Sequence, residues 1–187
     1  EFSVNYPAAG AGNRMVAELI ARSGFTWNGY RSAVCISHDI DNADGCAYLP
    51  RLMELNARQG IVSTVHFLTH DEYTVTPDLL AELAGQGHEI AMHGHRHDPG
   101  LAYRRESSIR RVLQEAVQGL GVPVRGFRAP GLSSSPRLLR ALAAAGLAYD
   151  SSYQTASCMY HSTGLNFPYQ LPHSQLSEFP VAIQDDY

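Results

Sequence analysis

The chain has 187 residues, with 14 basic residues, all arginine, 18 acidic residues and a formal net charge of −4. A composition 44% hydrophobic and 17% charged can bury a core, which excludes disordered, collagen-like and mucin-like classes, and the acidic balance argues against a duplex-binding module. No apolar run reaches the ~18 residues of a membrane helix, and without lysine no Schiff-base chemistry can run on a lysine amine.

Taken in chain order, the sequence opens at Glu1-Phe2 with no signal-like segment, and reads as a fragment or a processed form. The first 30 residues are a weakly patterned lead-in. Within them Asn13 to Ser23 carries Met15, Val16, Leu19 and Ile20 at helical spacing. Arg31 to Ser37 reads as a buried strand, with Cys35 in the core. Tyr48 to Gln59 reads as an amphipathic helix ended by Gly60. Ile61 to Leu68 is a β-rich run. Thr76-Pro77 is a helix start, the threonine as cap and the proline in the first turn. His88 to Met92 is a short strand and Ser107 to Gln118 a helix. Val124 to Arg128 is the next strand. Ser135-Pro136 opens a helix that ends at Gly146. Leu147 to Ser152 and Ser177 to Ile183 are further strands. Strands alternating with helices of this length predict parallel βα units, in a barrel or an open sheet. In either arrangement the chemistry belongs at the strand C-terminal ends.

Four segments stand at those ends. Asp39 and Asp41 in Ser37-His38-Asp39-Ile40-Asp41 point to one side of an extended chain. Two carboxylates so placed repel unless a cation or a proton lies between them. His93 and His97 in His93-Gly94-His95-Arg96-His97 are four apart, a spacing that brings two imidazoles to one metal on a helical turn; His95 is off that register. A carboxylate with two histidines is a three-ligand set that leaves a position for water, and the second carboxylate can then act as base. Spacing alone leaves open which aspartate takes which role. Arg128, in Arg128-Ala129-Pro130-Gly131, ends its strand facing the same opening, where it can hold a carboxylate ionised. Asp150, in Asp150-Ser151-Ser152, is its natural partner. His38 and His66 read as structural histidines. Cys35, Cys46 and Cys158 lack any CxxC spacing, so neither a thiolate metal site nor a disulfide framework is expected.

In this order the four segments resemble those of the NodB-homology polysaccharide deacetylases, carbohydrate esterase family four, over about residues 32–186. Ser37-His38-Asp39-Ile40-Asp41 looks like the DxD form of that family's first motif. The resemblance implies a distorted (β/α) barrel of the polysaccharide deacetylase type, incomplete at its C-terminus, over residues 31–187. It also implies metal-dependent hydrolysis of N- or O-linked acetyl groups on a polysaccharide or amino sugar. Asp41, His93 and His97 would hold one divalent metal, zinc first, with cobalt, nickel or manganese as alternatives. Asp39 would be the general base, Arg128 its brace, and Asp150 the group that holds Arg128. The Gly131 N–H would help bind the oxyanion; this glycine stands where many members carry an aromatic wall, and Gly94 stands where they carry a hydroxyl residue. The family's fifth motif, a Leu-x-His strand end that supplies a general acid, is expected after Asp186; His161 and His173 read as surface residues. The partner expected is an acetylated carbohydrate, not nucleic acid. The alternatives are an amidohydrolase acting on a small cyclic amide or formamide, and a non-catalytic glycan- or metal-binding domain.

Overall fold

The first strand begins at Ser37, later than the sequence suggests. The computed structural model describes residues 15–16, 18–30, 32–155, 165–172 and 174–183. Arg31, Cys158, His161, His173, Asp185 and Asp186 lie outside the described residues, as does Asn13 of the expected N-terminal helix, of which residues 18–23 are helical. The first strand is β1, Ser37–Ile40. Its ladder partner β2 is Thr64–Leu68, and Thr64 N–H donates to the Ile36 carbonyl as the first rung. Before that rung no strand among the described residues flanks the chain; Val34 is 85% exposed and Cys35 is exposed instead of lying in the core. An apolar run is buried only where a neighbour covers it.

The helices follow local chemistry. Helix α1, Ala43–Arg58, starts five residues before its expected position because Asn42 caps it, accepting from Gly45 N–H. The Asp41 to Gly45 segment, though rich in turn-forming residues, forms the helix N-terminus. Helix α2, Pro77–Gly85, is capped by Thr76, and α4, Pro136–Ala144, by Ser135, as the sequence predicts; such caps stabilise a helix by ~1 kcal/mol each. Helix α3, Glu106–Leu120, buries Ile109, Leu113, Ala116 and Leu120 along one face and ends at Gly121 with φ 65°, the left-handed stop that glycine allows.

Strand β3 is Glu89–Gly94, β4 Gly126–Phe127, β5 Tyr149–Asp150, β6 Tyr169–Gln170 and β7 Ser177–Glu178. The sheet order is β1-β2-β3-β4-β5-β7-β6. All neighbours pair parallel except β6 with β7. Strand β6 was not expected. This is the α/β fold that the alternation implies. Among the described residues no pairing joins β1 to β6. Val65, Phe67, Met92, Ile109, Leu113, Phe127, Leu138 and Leu142 form the fully buried centre. Parallel pairing has one consequence for function: β1 to β5 and β7 all present their C-terminal ends at one rim. No helix among the described residues is long and apolar enough to cross a membrane.

Candidate active site

The rim gathers the side chains that the motifs single out. Asp39 lies inside β1, and Asp41 one residue beyond its end. Tyr73 fixes that exit: its hydroxyl donates to the Ile40 carbonyl at 2.6 Å and accepts from Leu68 N–H at 2.9 Å, tying the end of β1 to the end of β2. His93 is on β3 and His97 in the bend that follows, so no helical turn joins them as the i,i+4 spacing suggested. The turn is made by Gly94, whose φ of 114° is open to glycine and strained for a side chain bearing Cβ. That accounts for a glycine where a hydroxyl residue was the expected type. Asp71 holds the bend by accepting from His97 N–H at 2.9 Å. His95 turns away, its ring stacked on His70 and its Nδ1 on the Thr69 hydroxyl.

Asp41, His93 and His97 converge, with one ligand atom of each within 4.8 Å of the others. Asp41 Oδ1 is 2.9 Å from His93 Nε2 and 3.5 Å from His97 Nε2. A tetrahedral zinc with bonds of ~2.1 Å spaces its ligands about 3.4 Å apart, so the three atoms are close to coordination spacing. The buried His93 sets its Nδ1 2.9 Å from the Arg128 carbonyl. A carbonyl only accepts, so Nδ1 carries a proton. In the neutral ring Nε2 then presents a lone pair to a carboxylate oxygen. Two acceptors at that distance require a cation between them, a proton or a metal. The residues present therefore fit a divalent metal.

Asp39 has different surroundings. Arg128 Nη1 reaches its Oδ1 at 3.0 Å, and His66 Nδ1 lies 3.0 Å from the same oxygen. Burial alone would raise the Asp39 carboxyl, but His66 and the guanidinium outweigh it and hold the group well below the usual carboxylate range. Asp39 is thus ionised at neutral pH and has two basic neighbours, while Asp41 faces the histidine pair. Spacing alone left the two aspartates interchangeable, while the family resemblance made Asp39 the base; their neighbours differ in the same sense.

No direct hydrogen bond or ion pair joins Asp150 to Arg128 among the described residues. The guanidinium donates to the Ser151 carbonyl through Nε at 2.8 Å and to the Ser151 hydroxyl through Nη2 at 2.8 Å. Ser151 in turn donates to the Phe179 carbonyl. Asp150 is fully buried and accepts from the Ser152 hydroxyl. Its register partner on β7 is Glu178, also fully buried, whose Oε1 accepts from Tyr153 N–H. Among the described residues Asp150 Oδ2 and Glu178 Oε2 find no donor, and a proton shared between the two carboxyls satisfies both. Burial pushes each carboxyl up, and the Asp150 charge pushes Glu178 up further, so Glu178 is the proton's resting place.

Glu178 is thus raised above its unfolded value of 4.5. Its stabilising contribution is complete below that pH and is lost as pH rises toward the folded value. Glu178→Gln cannot ionise. It should match the native chain near pH 5 and exceed it near pH 9 by roughly 5 °C or more in Tm, read by scanning calorimetry. An equal Tm difference at both pH values would contradict the shared proton.

Gly131 lies exposed on the rim with φ 58°, followed by Leu132 at φ 51°. Two left-handed residues in succession, one of them not glycine, place strain beside the cluster.

A family model described as polysaccharide deacetylase matches residues 32–149. Among solved structures, a polysaccharide deacetylase from Mycobacterium smegmatis is 24% identical with a TM-score of 0.63, over 79% of this chain and 58% of that one. An allantoinase is 20% identical with a TM-score of 0.54, over 72% of this chain and 43% of that one. A family 4 acetyl xylan esterase from Clostridium thermocellum, in complex with a cobalt ion, is 18% identical with a TM-score of 0.50, over 64% of this chain and 58% of that one. The matches span 43% to 58% of these proteins' lengths. No curated protein matches the chain.

Proposed function

Because the chain belongs to the polysaccharide deacetylase family, we propose that it hydrolyses N- or O-linked acetyl groups on a carbohydrate, with a divalent metal held by Asp41, His93 and His97. The observation that carries this reading is the convergence of those three ligand atoms beside a separately braced aspartate, Asp39. Zinc suits two imidazoles and a carboxylate, and the cobalt in the acetyl xylan esterase supports a divalent ion in this fold. Bound there, such an ion would polarise the acetyl carbonyl and lower the pKa of water.

The chain's own residues supply the base, its brace and a donor for the oxyanion. Asp39 takes the proton of the attacking water, a general-base step worth about 10²–10⁴ in rate. Arg128 keeps Asp39 ionised and fixes its direction. The Gly131 N–H would donate to the oxyanion. His93 is oriented by the Arg128 carbonyl, so one residue serves the base through its side chain and the ligand through its backbone.

A second reading is hydrolysis of a small cyclic amide. It is favoured by the exposed Gly131, standing where many members carry an aromatic residue, and by the likeness to an allantoinase. Metal-loaded protein is to be offered acetylated glucosamine oligomers, acetylated xylan oligomers and allantoin. Acetate release that stops with chelator and returns with zinc is the expected result. Ring opening of allantoin without acetate release would establish the second reading. No turnover of any substrate by metal-loaded protein would leave a binding module.

A further inference from the structure

His66 occupies a position where a core strand would ordinarily carry a hydrophobe. Its neighbours Val65, Phe67 and Leu68 are fully buried, and His66 itself is 1% exposed. A polar ring there costs free energy unless its nitrogens find partners. The register places His66 directly beside Asp39, with Nδ1 3.0 Å from Oδ1, though off the line of an ideal hydrogen bond. Nε2 has no partner among the described residues. Burial pushes the ring's pKa down to about 4, so it is neutral at physiological pH and carries one proton. Facing a carboxylate oxygen, that proton belongs on Nδ1, since a lone pair there would meet another lone pair. Arg128 Nη1 reaches the same oxygen. Both donors thus fall on Oδ1, and Oδ2 makes no hydrogen bond among the described residues.

We propose that His66 is a positioning residue: with Arg128 it clamps Asp39 through Oδ1 and leaves Oδ2 as the atom that takes the proton from the attacking water. The proposal rests on the reading of Asp39 as general base, and extends it to a residue outside the four motifs. A clamp of two donors, one on β2 and one just beyond the end of β4, fixes both the rotation of the carboxylate and the choice of oxygen. That is the positional control on which base catalysis depends.

The test uses His66→Asn, whose amide nitrogen falls near the place of Nδ1, and His66→Gln, whose amide nitrogen falls nearer Nε2. Each is metal-loaded and compared with the native chain. His66→Asn should keep kcat within about threefold, and His66→Gln should lose about 30-fold or more, with KM and metal content little changed. Independently of activity, nitrogen-15 spectra of histidine-labelled protein should show His66 neutral and protonated at Nδ1 across about pH 5 to 8, with the Nδ1–H resonance displaced by Asp39→Asn. A ring protonated at Nε2 would overturn the proposal. So would equal kcat losses in the two variants that track their losses of Tm. If the native chain turns over none of the substrates, the proposed function fails, while the tautomer still decides whether His66 clamps Asp39.

Discussion

Asp39→Asn should lower kcat by about 10²–10⁴ and leave the metal content unchanged. The substitution keeps shape and volume, and an amide oxygen can still accept from Arg128 Nη1, which sits 3.0 Å from Oδ1. What it removes is the capacity to take a proton. The metal ligands are untouched, because Asp41, His93 and His97 hold one another's ligand atoms within 4.8 Å and Asp39 is not among them. Steady-state kinetics at saturating metal, beside metal analysis of the same preparation, checks both halves. Native turnover in this variant would remove Asp39 from the role of base. Loss of metal along with activity would mean that Asp39 and Asp41 have been assigned the wrong way round.

Removing a ligand should have a larger effect. Asp41→Ala and His93→Ala each leave two ligands of three, and activity should fall by at least about 10³ even with metal in excess. The two variants should differ in stability. Asp41 is half exposed, with 47% of its side chain in solvent, so its loss costs little folding free energy. His93 is 2% exposed and donates to the Arg128 carbonyl at 2.9 Å. Its removal leaves a buried carbonyl unpaired and a cavity beside it, costing ~2–4 kcal/mol. Asp41→Ala is therefore the cleaner probe: its Tm should stay within about 2 °C of the native value in the absence of metal, while His93→Ala should fall further.

The parts of this site that the sequence displayed are those set by short stretches of chain. Asp39 with Asp41, His93 with His97, and the caps Thr76 and Ser135 are each defined within a few residues, so local pattern suffices. The parts that it concealed depend on which strands lie side by side. His66 lies amid apolar residues, and only the pairing of β1 with β2 reveals that it meets Asp39. Asp150 stands in the expected motif, yet its partner is Glu178 through the pairing of β5 with β7, while Ser151 takes Arg128. A signal did exist for Glu178: a carboxyl between Ser177 and Phe179 in an otherwise apolar strand end needs a partner. Nothing local could name that partner. The first strand was misplaced for a related reason. Val34 to Ile36 has the composition of a buried strand, but β2 begins only at Thr64 and offers it no neighbour.

If Asp41, His93 and His97 hold one metal, the purified chain dialysed against zinc should carry about one equivalent by mass spectrometry, and Asp41→Ala and His93→Ala a small fraction of that. A native chain that retains no metal, or variants that retain as much as the native chain, would contradict that assignment.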